Sequence, residues 1–448
     1  RGTNNRVPPH NAAIEYAAEK GIPIHARGSG SGVAGESLGP GLVVDFSKFL
    51  RRILYTDQEH VRVQPGVVLE RLNAQLLRAG RLFGPNPSNS QVTTIGSVLA
   101  VNASGSRWSK YGAACDNVSS LQVVTAQGEV MEFGRESLET PEPDAPNKAV
   151  LVRQIADLLR KHRTVISENG PKSPIPRCGY NLADVLTDSH LDLPRLICGS
   201  EGTLVLITEA TLRTQPMPRY RGAALLLFDS MDKAARAVLE ILPHRPVACE
   251  LMDRRHLSLA RETEVRFDLL IPAETEAILL VEQEGDDPEQ TRSQLHRLVA
   301  ELRDDLRLAF DARQAFDPDD IGLFWRLATK IQPGLFQAHG GARPVPVVED
   351  VAVSPEILPE FLVRVQNVLK RHQVTASIFS HAVQGQLHIQ PFLDVFNASD
   401  VIRMKRLAED LYEEVFQVAG TISGEHAIGL ARTAFLQRQV GPLYDVFR

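Results

Sequence analysis

The chain has 448 residues, which is enough for two or three domains that each bury a sizeable core. Its hydrophobic content of 43% and charged content of 23% are ordinary for a globular protein, and its formal net charge of −6 argues against nucleic acid as the main partner. No apolar run approaches the ~20 residues that a membrane span needs. The four cysteines are scattered without CxxC spacing, so we expect a reduced, cytoplasmic setting.

The first informative stretch is a glycine-rich loop at residues 22–35, IPIHARGSGSGVAG, which follows a predicted helix at 11–20. Glycines alternate with small residues, so the backbone can adopt positive φ and present N–H groups to a phosphate, with Arg27 beside them. Residues 30–35 also fit the Rossmann spacing G-x-G-x-x-G, but the glycines and proline at 39–41 break the chain where that fingerprint needs a helix. We therefore predict a strand at 42–46. A flexible surface turn is the alternative interpretation of the loop.

Two further stretches combine small residues with hydrogen-bonding side chains. Residues 85–105, PNPSNSQVTTIGSVLAVNASG, contain no long charged side chain and can wrap a flavin ring or ribityl group; a polar connection packed under a sheet is the alternative. Residues 196–208 predict a turn between two apolar strands, with Gly199, Glu201 and Gly202 at the turn. A ligand contact and a plain hairpin turn would both fit that pattern.

Pro216 and Pro218 predict a domain boundary. The pattern beyond them predicts strands at 223–228, 247–252 and 277–283, a helix at 232–242 and a long charged helix at 288–308. We therefore predict an α+β fold with domains at 1–216 and 217–395, followed by a C-terminal segment at 396–448.

Residues 377–389, SIFSHAVQGQLHI, place two histidines where a hairpin could bring them together. If Gln384 and Gly385 form a two-residue turn, His381 and His388 are direct cross-strand partners with Cβ atoms roughly 5 Å apart. Such a pair suits a divalent transition metal with a carboxylate as third ligand. Satisfied structural histidines are the alternative.

The carboxylate could come from the segment GTISGEHAIG at 420–429. Glycines on both sides of Glu425 and His426 suggest that the backbone runs close to a ligand and that both side chains point into a site. His426 could then act as a base near neutral pH.

Five stretches occur in an order that resembles the flavoproteins of the vanillyl-alcohol-oxidase type: RGSGSG, TIGSVLAVNASG, CGSEGTL, SHAVQGQLH and GTISGEHAIG. Within that family the chain resembles the FAD-linked D-2-hydroxyacid dehydrogenases related to D-lactate, glycolate and D-2-hydroxyglutarate dehydrogenases. The resemblance runs from about residue 17 to the end. It implies a two-lobed FAD-binding domain of the PCMH type at 1–216, an α+β cap domain at 217–395, and a C-terminal segment that returns to the flavin site.

The resemblance also implies site residues. In relatives with covalent flavin a histidine lies four residues after the loop arginine, and because that position is Ser31 here, we expect noncovalent FAD. The implied FAD contacts are Arg27, Gly28, Ser29, Gly30, Ser31, Gly32, Pro85, Gly96, Ser97, Asn102, Ser104, Gly105, Glu201, Gly202 and Ile207. The implied ligands of a divalent metal such as zinc are His381, His388 and Glu425, and His426 is the implied base. For the cation that binds the substrate carboxylate we expect Arg326, with Lys330 and Arg343 as alternatives.

The implied reaction is oxidation of a D-2-hydroxyacid of the D-lactate or D-2-hydroxyglutarate class to the 2-oxoacid, by hydride transfer to flavin N5. A flavin oxidase of another alcohol or sugar and a flavin-free metal-dependent hydrolase or binding protein are the alternatives. Residues 343–355, RPVPVVEDVAVSP, resemble a bacterial subgroup fused to an iron–sulfur domain, although the sequence contains no cysteine cluster for such a centre. The expected electron acceptor is an iron–sulfur domain, a quinone or an electron-transfer protein. Attachment to the inner membrane face and a homodimer are left open.

Overall fold

The computed structural model of the chain describes residues 9–140, 145–170, 173–175, 178–329 and 341–448. Up to residue 216 the helices are α1 (Pro9–Lys20), α2 (Leu69–Leu76), α3 (Ile95–Ala100), α4 (Trp108–Tyr111), α5 (Pro146–Lys161), α6 (Arg163–Asn169) and α7 (Leu193–Ile197). The strands of this half are β1 (Ile24–Arg27), β2 (Leu42–Asp45), β3 (Ile53–Thr56), β4 (His60–Val63), β5 (Arg81–Leu82), β6 (Val118–Val124), β7 (Val130–Phe133), β8 (Arg135–Ser137), β9 (His190–Asp192), β10 (Leu206–Arg213) and β11 (Gln215–Pro216).

The first half is built on a sheet in the order β3-β4-β10-β6-β7, in which all neighbours are antiparallel. Apolar side chains of α2, α3 and α7 pack with this sheet into one core. Strands β1 and β2 form a separate parallel pair, with the glycine-rich loop between them. The prediction that a strand and not a helix follows this loop is confirmed, since residues 28–41 contain no helix and β2 begins at Leu42.

After residue 216 the strands are β12 (Tyr220–Phe228), β13 (Ala248–Asp253), β14 (Ala277–Gly285), β15 (Asp311–Ala315), β16 (Arg343–Pro344), β17 (Val348–Ala352), β18 (Ala376–His381) and β19 (Gln386–Leu393). The helices are α8 (Met231–Ile241), α9 (Arg254–Thr263), α10 (Arg266–Leu270), α11 (Pro288–Ala300), α12 (Pro318–Thr329), α13 (Leu358–Arg371), α14 (Ala398–Gln417), α15 (Gly429–Val440) and α16 (Tyr444–Phe447).

A second sheet in the order β15-β12-β14-β13-β18-β19-β16 organises this half, and β17 also pairs with β19. Apolar residues of α8, α11, α13 and α14 cover one face, and those of α9, α10 and α12 cover the other. Because both faces are covered, a central strand such as β12 is apolar on both sides and nearly all of it is buried. The prediction of an α+β fold is confirmed, while the exact domain limits stay predictions.

Two predicted elements differ from the structure. The expected strand before Gly199 is the short helix α7, because the Asp192 side chain caps it by accepting from Arg195 N–H and Pro194 lies in its first turn. The expected helix at 288–308 leaves α-helical geometry after Ala300, where a π-helical turn covers Glu301–Asp305.

Candidate functional site

A cavity lies at the C-terminal end of β1, beside the N-terminus of α3 and the loop before β10. Seven of the predicted FAD contacts line it: Arg27, Gly28, Gly96, Ser97, Glu201, Gly202 and Ile207. Three stretches that are far apart in sequence therefore meet where the sequence predicts a nucleotide.

The glycine-rich loop approaches α3 so closely that side chains are excluded. A Cβ atom at Gly28 would lie 2.2 Å from Ser97 Oγ and 2.3 Å from Thr94 Oγ1. Gly30 has a φ of +70°, and a Cβ atom there would lie 2.5 Å from Arg27 Nη2. The Arg27 guanidinium thus lies against exposed loop backbone, which suits the phosphates of FAD.

The other predicted FAD contacts lie outside the lining of this cavity, some in the glycine-rich loop and the rest at residues 85 and 102–105. Within the loop, Ser29 Oγ donates to Ser31 Oγ at 3.2 Å, and Asn89 donates to the Ser31 carbonyl at 3.4 Å. Gly32 lies against Glu36, which also lines the cavity. Buried Pro85 precedes the β-bridge between Asn86 and Gly105.

Residues 102–105 connect the cavity to the C-terminal segment. Asn102 has a φ of 54° and its Oδ1 accepts from Cys115 N–H at 2.9 Å. Ser104 Oγ and the Gly105 N–H donate to Glu425 Oε2 at 3.2 and 2.8 Å. Two predicted FAD contacts therefore hold a predicted metal ligand, so the two predicted sites adjoin.

The two histidines of the hairpin come together by a different register from the one predicted. His381 pairs with Gln386 and His388 pairs with Phe379, because residues 382–385 make a four-residue connection that ends at Gly385 with a φ of +68°. The prediction of a two-residue turn was wrong. The difference in register is two residues, and since an even shift keeps side chains on the same face, the imidazole centroids still lie 5.1 Å apart.

Three imidazoles point their Nε2 atoms at one carboxylate oxygen. The distances to Glu425 Oε1 are 3.2 Å from His381, 3.6 Å from His388 and 3.8 Å from His426. All of these side chains are buried except that of His426, which is 27% exposed. The site can thus be reached through His426.

The Nδ1 atoms of the same three rings face two further carboxylates. His381 Nδ1 lies 2.6 Å from Glu250 Oε2, and His426 Nδ1 lies 2.5 Å from Glu349 Oε2. Glu349 Oε1 is 3.2 Å from His388 Nδ1. We call these six residues the histidine cluster: His381, His388, His426, Glu250, Glu349 and Glu425.

Asp350 fixes the backbone that carries Glu425 and His426. Its Oδ2 accepts from the N–H groups of Gly424, Glu425 and His426 at 2.9, 2.9 and 2.8 Å. Burial disfavours its charged form, but nearby His426 and Arg432 lower the pKa of Asp350. An ionised carboxylate with three N–H donors holds the loop rigidly.

Carboxylates determine the charge of the histidines. Burial alone would lower the pKa of His426, but Glu349 and Asp350 raise it to about 10. Burial also opposes the charged form of His381, and Glu250 nonetheless raises its pKa well above the ordinary value. Without another cation, both rings therefore carry a proton at neutral pH. A divalent ion among these carboxylates would supply the positive charge instead and would free imidazole nitrogens as ligands or as a base.

The donor atoms fit a divalent transition metal. Among the described residues, two groups bring potential ligand atoms together: His381, His388 and Glu425, which is the predicted set, and Glu349, His388 and His426. Two imidazoles and a carboxylate are typical ligands of catalytic zinc.

Sequence reasoning did not identify Glu250, Glu349 and Asp350 as site residues. Each interrupts an otherwise apolar strand, in VACELM at 247–252 and VVEDVAV at 347–353. Because a carboxylate in the middle of a buried strand needs a partner, this pattern is the signal that could have revealed them.

Arg326 lies on α12, where its Nε is 3.3 Å from Glu264 Oε2 and its side chain is 28% exposed. It thus pairs with a carboxylate outside the histidine cluster. Arg343 is exposed at the edge strand β16, and Lys330 lies outside the described residues. Over the described part of the chain, no helix has the length and apolar character that crossing a membrane requires.

Comparison with known proteins places this geometry in a family. The family model described as FAD linked oxidases, C-terminal domain, matches residues 217–448, and the model described as FAD binding domain matches residues 10–134. The chain is 33% identical over 435 residues to the D-2-hydroxyglutarate dehydrogenase of Pantoea ananatis (strain AJ13355), covering 92% of this chain and 42% of that protein. The chain is 30% identical over 421 residues to the D-2-hydroxyglutarate dehydrogenase of Escherichia coli (strain K12), and this match covers 90% of this chain and 41% of that protein. The chain thus spans about two fifths of the length of these relatives.

The fold has a counterpart among solved structures. The structure of p-cresol methylhydroxylase with substrate bound matches 98% of this chain and 83% of its own chain, with a TM-score of 0.68 and 13% identity. This likeness confirms the predicted arrangement of a PCMH-type FAD-binding fold with an α+β cap. Together with an FAD-binding domain model on the first half and a family model over more than half of the residues, it shows that the chain belongs to the FAD-linked oxidases.

Proposed function

We propose that this chain carries the FAD-binding and substrate-binding parts of a dehydrogenase that oxidises a D-2-hydroxyacid of the D-2-hydroxyglutarate or D-lactate class. The observation that carries the proposal is the convergence of three imidazoles on Glu425, whose other oxygen accepts from Ser104 and Gly105 of the FAD-binding half. The names of the relatives support the substrate class.

Two groups complete the site in this proposal. Noncovalent FAD would occupy the cavity at Arg27 and Gly28, and a divalent metal such as zinc would be held by His381, His388 and Glu425. When bound, FAD supplies an acceptor for two electrons and the metal supplies a Lewis acid that lowers the pKa of the substrate hydroxyl.

His426 is the proposed base. Its Nδ1 is engaged by Glu349, so its Nε2 is the atom that can take the proton of the substrate hydroxyl. Its partial exposure lets a substrate reach it. Arg326 remains the proposed partner of the substrate carboxylate. To bind it, Arg326 would have to give up its ion pair with Glu264.

The electrons would then pass to an iron–sulfur domain, a quinone or an electron-transfer protein. In the described structure the four cysteines are buried and unlinked, and they come from separate parts of the sequence. A cytoplasmic location, with peripheral attachment to the inner membrane face as an alternative, belongs to the same proposal.

The test is reduction of the bound flavin by D-2-hydroxyglutarate and by D-lactate under anaerobic conditions. The loss of the flavin's visible absorbance measures the rate of reduction. We expect His426→Asn to retain FAD but to be reduced about 10²- to 10⁴-fold more slowly, the usual contribution of a positioned base. His372→Asn is the matched control, because His372 also pairs with a carboxylate, Asp410, at 2.8 Å but outside the histidine cluster.

An FAD-loaded His426→Asn variant that is reduced at the original rate would rule out the base assignment. Unmodified protein that binds FAD but is reduced by neither acid would contradict the substrate class.

A further inference from the structure

We infer that Glu349 is a positioning residue: it holds the Nδ1 side of His426 and His388 so that their Nε2 atoms face Glu425. The inference rests on the proposed function, because it gives these Nε2 atoms their roles as base and metal ligand. It assigns a role to a residue that is absent from the predicted ligand set and had no role in the sequence analysis.

Glu349 contacts both rings with different oxygens. Oε2 is hydrogen-bonded to His426 Nδ1 at 2.5 Å, whereas Oε1 lies 3.2 Å from His388 Nδ1, off the hydrogen-bond direction of that ring. The carboxylate is buried, with 6% of the side chain exposed, and Arg432 Nη2 lies 3.9 Å from Oε2. A buried carboxylate on the outer nitrogen of a histidine fixes its tautomer and ring orientation.

The strand β17 holds His426 at two points. Glu349 binds the ring, and its neighbour Asp350 accepts from the backbone N–H of His426 at 2.8 Å. Adjacent residues of a regular strand point to opposite faces. The register of β17 against β19 shifts between Val348 and Val351, at the position of this acidic pair. The irregular strand therefore brings two successive carboxylates to one histidine.

The distances distinguish a positioning residue from a metal ligand. Two ligand atoms on one tetrahedral zinc ion are about 3.3 Å apart, given metal–ligand bonds of about 2.0–2.1 Å. The Nε2 atoms of His381 and His388 lie 3.2 and 3.6 Å from Glu425 Oε1, close to this spacing. Glu349 Oε2 and His426 Nδ1 are 2.5 Å apart, which is the separation of a hydrogen-bonded pair. In the second potential ligand group, Glu349, His388 and His426, the Glu349–His426 pair is thus already hydrogen-bonded, and only Glu349 Oε1 and His388 Nδ1, 3.2 Å apart, keep a ligand-like spacing.

The experiment measures zinc affinity and stoichiometry by competition with a chromophoric chelator, on protein loaded with FAD. Glu349→Met keeps the length of the side chain but removes the acceptor, while Glu349→Gln keeps an acceptor oxygen. We expect one zinc ion per chain in the unmodified protein, a 10- to 100-fold weaker Kd in Glu349→Met, and a Kd within a few-fold of the original in Glu349→Gln. Glu360→Ala, at an exposed glutamate of α13, is the control and should leave the Kd unchanged.

A second measurement tests the effect of Glu349 on the proposed base, His426. Glu349→Met should slow anaerobic flavin reduction, and adding it to His426→Asn should slow that variant little further, since Glu349 acts on the proton through His426. Circular dichroism and FAD content confirm that each variant is folded, and Glu349→Ala replaces Glu349→Met if the latter does not fold.

The outcomes separate this inference from the proposed function. If unmodified protein binds one zinc ion and Glu349→Met matches it in both Kd and reduction rate, the positioning role is wrong and the proposed function stands. Two ions per chain, one of which is lost in Glu349→Met, would make Glu349 a ligand and overturn the inference. Unmodified protein that binds no zinc would overturn both the metal part of the proposed function and this inference.

Discussion

Two buried groups of charges face the same side of the second sheet, and they balance their carboxylates in different ways. In the histidine cluster the partners are imidazoles, whose charge can change. We call the other group the Glu282 cluster; it consists of Glu282, Arg107, Arg221 and Trp325. Its carboxylate is held by guanidinium groups and an indole N–H, and the charge of these partners does not change with pH. The difference teaches that a carboxylate held by arginines is a fixed structural element, whereas one held by histidines can exchange a proton for a cation.

The Glu282 cluster joins the two halves of the chain. Arg107 donates to both oxygens of Glu282 at 2.8 and 3.1 Å, and Arg221 and the Trp325 indole donate at 2.6 and 2.5 Å. Glu282 is completely buried, and the Arg107 guanidinium lies 4.4 Å from the centroid of the Trp325 ring. Arg107 precedes α4 in the first half, while Glu282 is on β14. The cluster therefore fixes the FAD-binding half against the cap.

Removing the charge of Glu282 is the strongest way to test this comparison. We expect Glu282→Gln to lower the free energy of unfolding by about 3 kcal/mol, because it breaks the buried ion pair with Arg107, whose side chain is 15% exposed. The value lies at the lower end for a broken buried pair, since Arg221 is 36% exposed and Glu284 Oε1 stays 3.9 and 3.8 Å from Arg107 and Arg221. Urea unfolding of metal-free protein at pH 7 measures the change.

The matched control for that measurement is Glu276→Gln. Glu276 pairs with Arg254 at 2.6 Å, but the two side chains are 37% and 65% exposed, so its loss should cost at most about 1 kcal/mol. Equal costs for the two variants would show that Glu282 is not a fixed structural element.

Acid should weaken the Glu282 cluster in a defined pH range. Burial raises the pKa of Glu282, but Arg107 and Arg221 lower it to about 2 in the folded chain. The unfolded chain binds the proton at its ordinary pKa of about 4.5, so stability from Glu282 is complete above that pH and is lost as the pH falls toward 2. By pH 3 about 2 kcal/mol of it should be lost. The gap in unfolding free energy between unmodified protein and Glu282→Gln should therefore narrow from pH 6 to pH 3; a constant gap would contradict this titration.

The sequence predicted the lining of the cavity at Arg27 and Gly28 better than it predicted either cluster. Gly28 and Gly30 follow from local backbone rules, because close approach and positive φ restrict the residue type. His381 and His388 could be paired from alternation in a hairpin, and the prediction survived an error in register because an even shift preserves the face.

The carboxylates could not be placed in the same way. Glu250 and Glu349 come from strands β13 and β17, which meet the histidine hairpin only through the order of the sheet. Arg107 and Glu282 are 175 residues apart, and their contact depends on how the two halves dock. Local patterns do not determine such pairings. The signal that was present, a lone acid in an apolar strand, predicts a buried partner without saying which one.

The smallest expected effect comes from the matching change in the histidine cluster. Glu250→Gln also removes a completely buried carboxylate, but its oxygen can still accept from His381 Nδ1, as Glu250 Oε2 does at 2.6 Å. Glu250 and, after it, Glu425 raise the pKa of His381 against the opposing effect of burial, so losing the charge of Glu250 lowers that pKa and lets the ring release its proton more readily. We therefore expect Glu250→Gln to lower the unfolding free energy of metal-free protein at pH 7 by only about 1 kcal/mol. This is the cost of weakening one hydrogen bond, which is smaller than the cost of leaving a buried charge without its partner. A loss as large as that of Glu282→Gln would mean that His381 keeps its charge regardless of its partner, and the distinction between a fixed and an adaptable cluster would then fail.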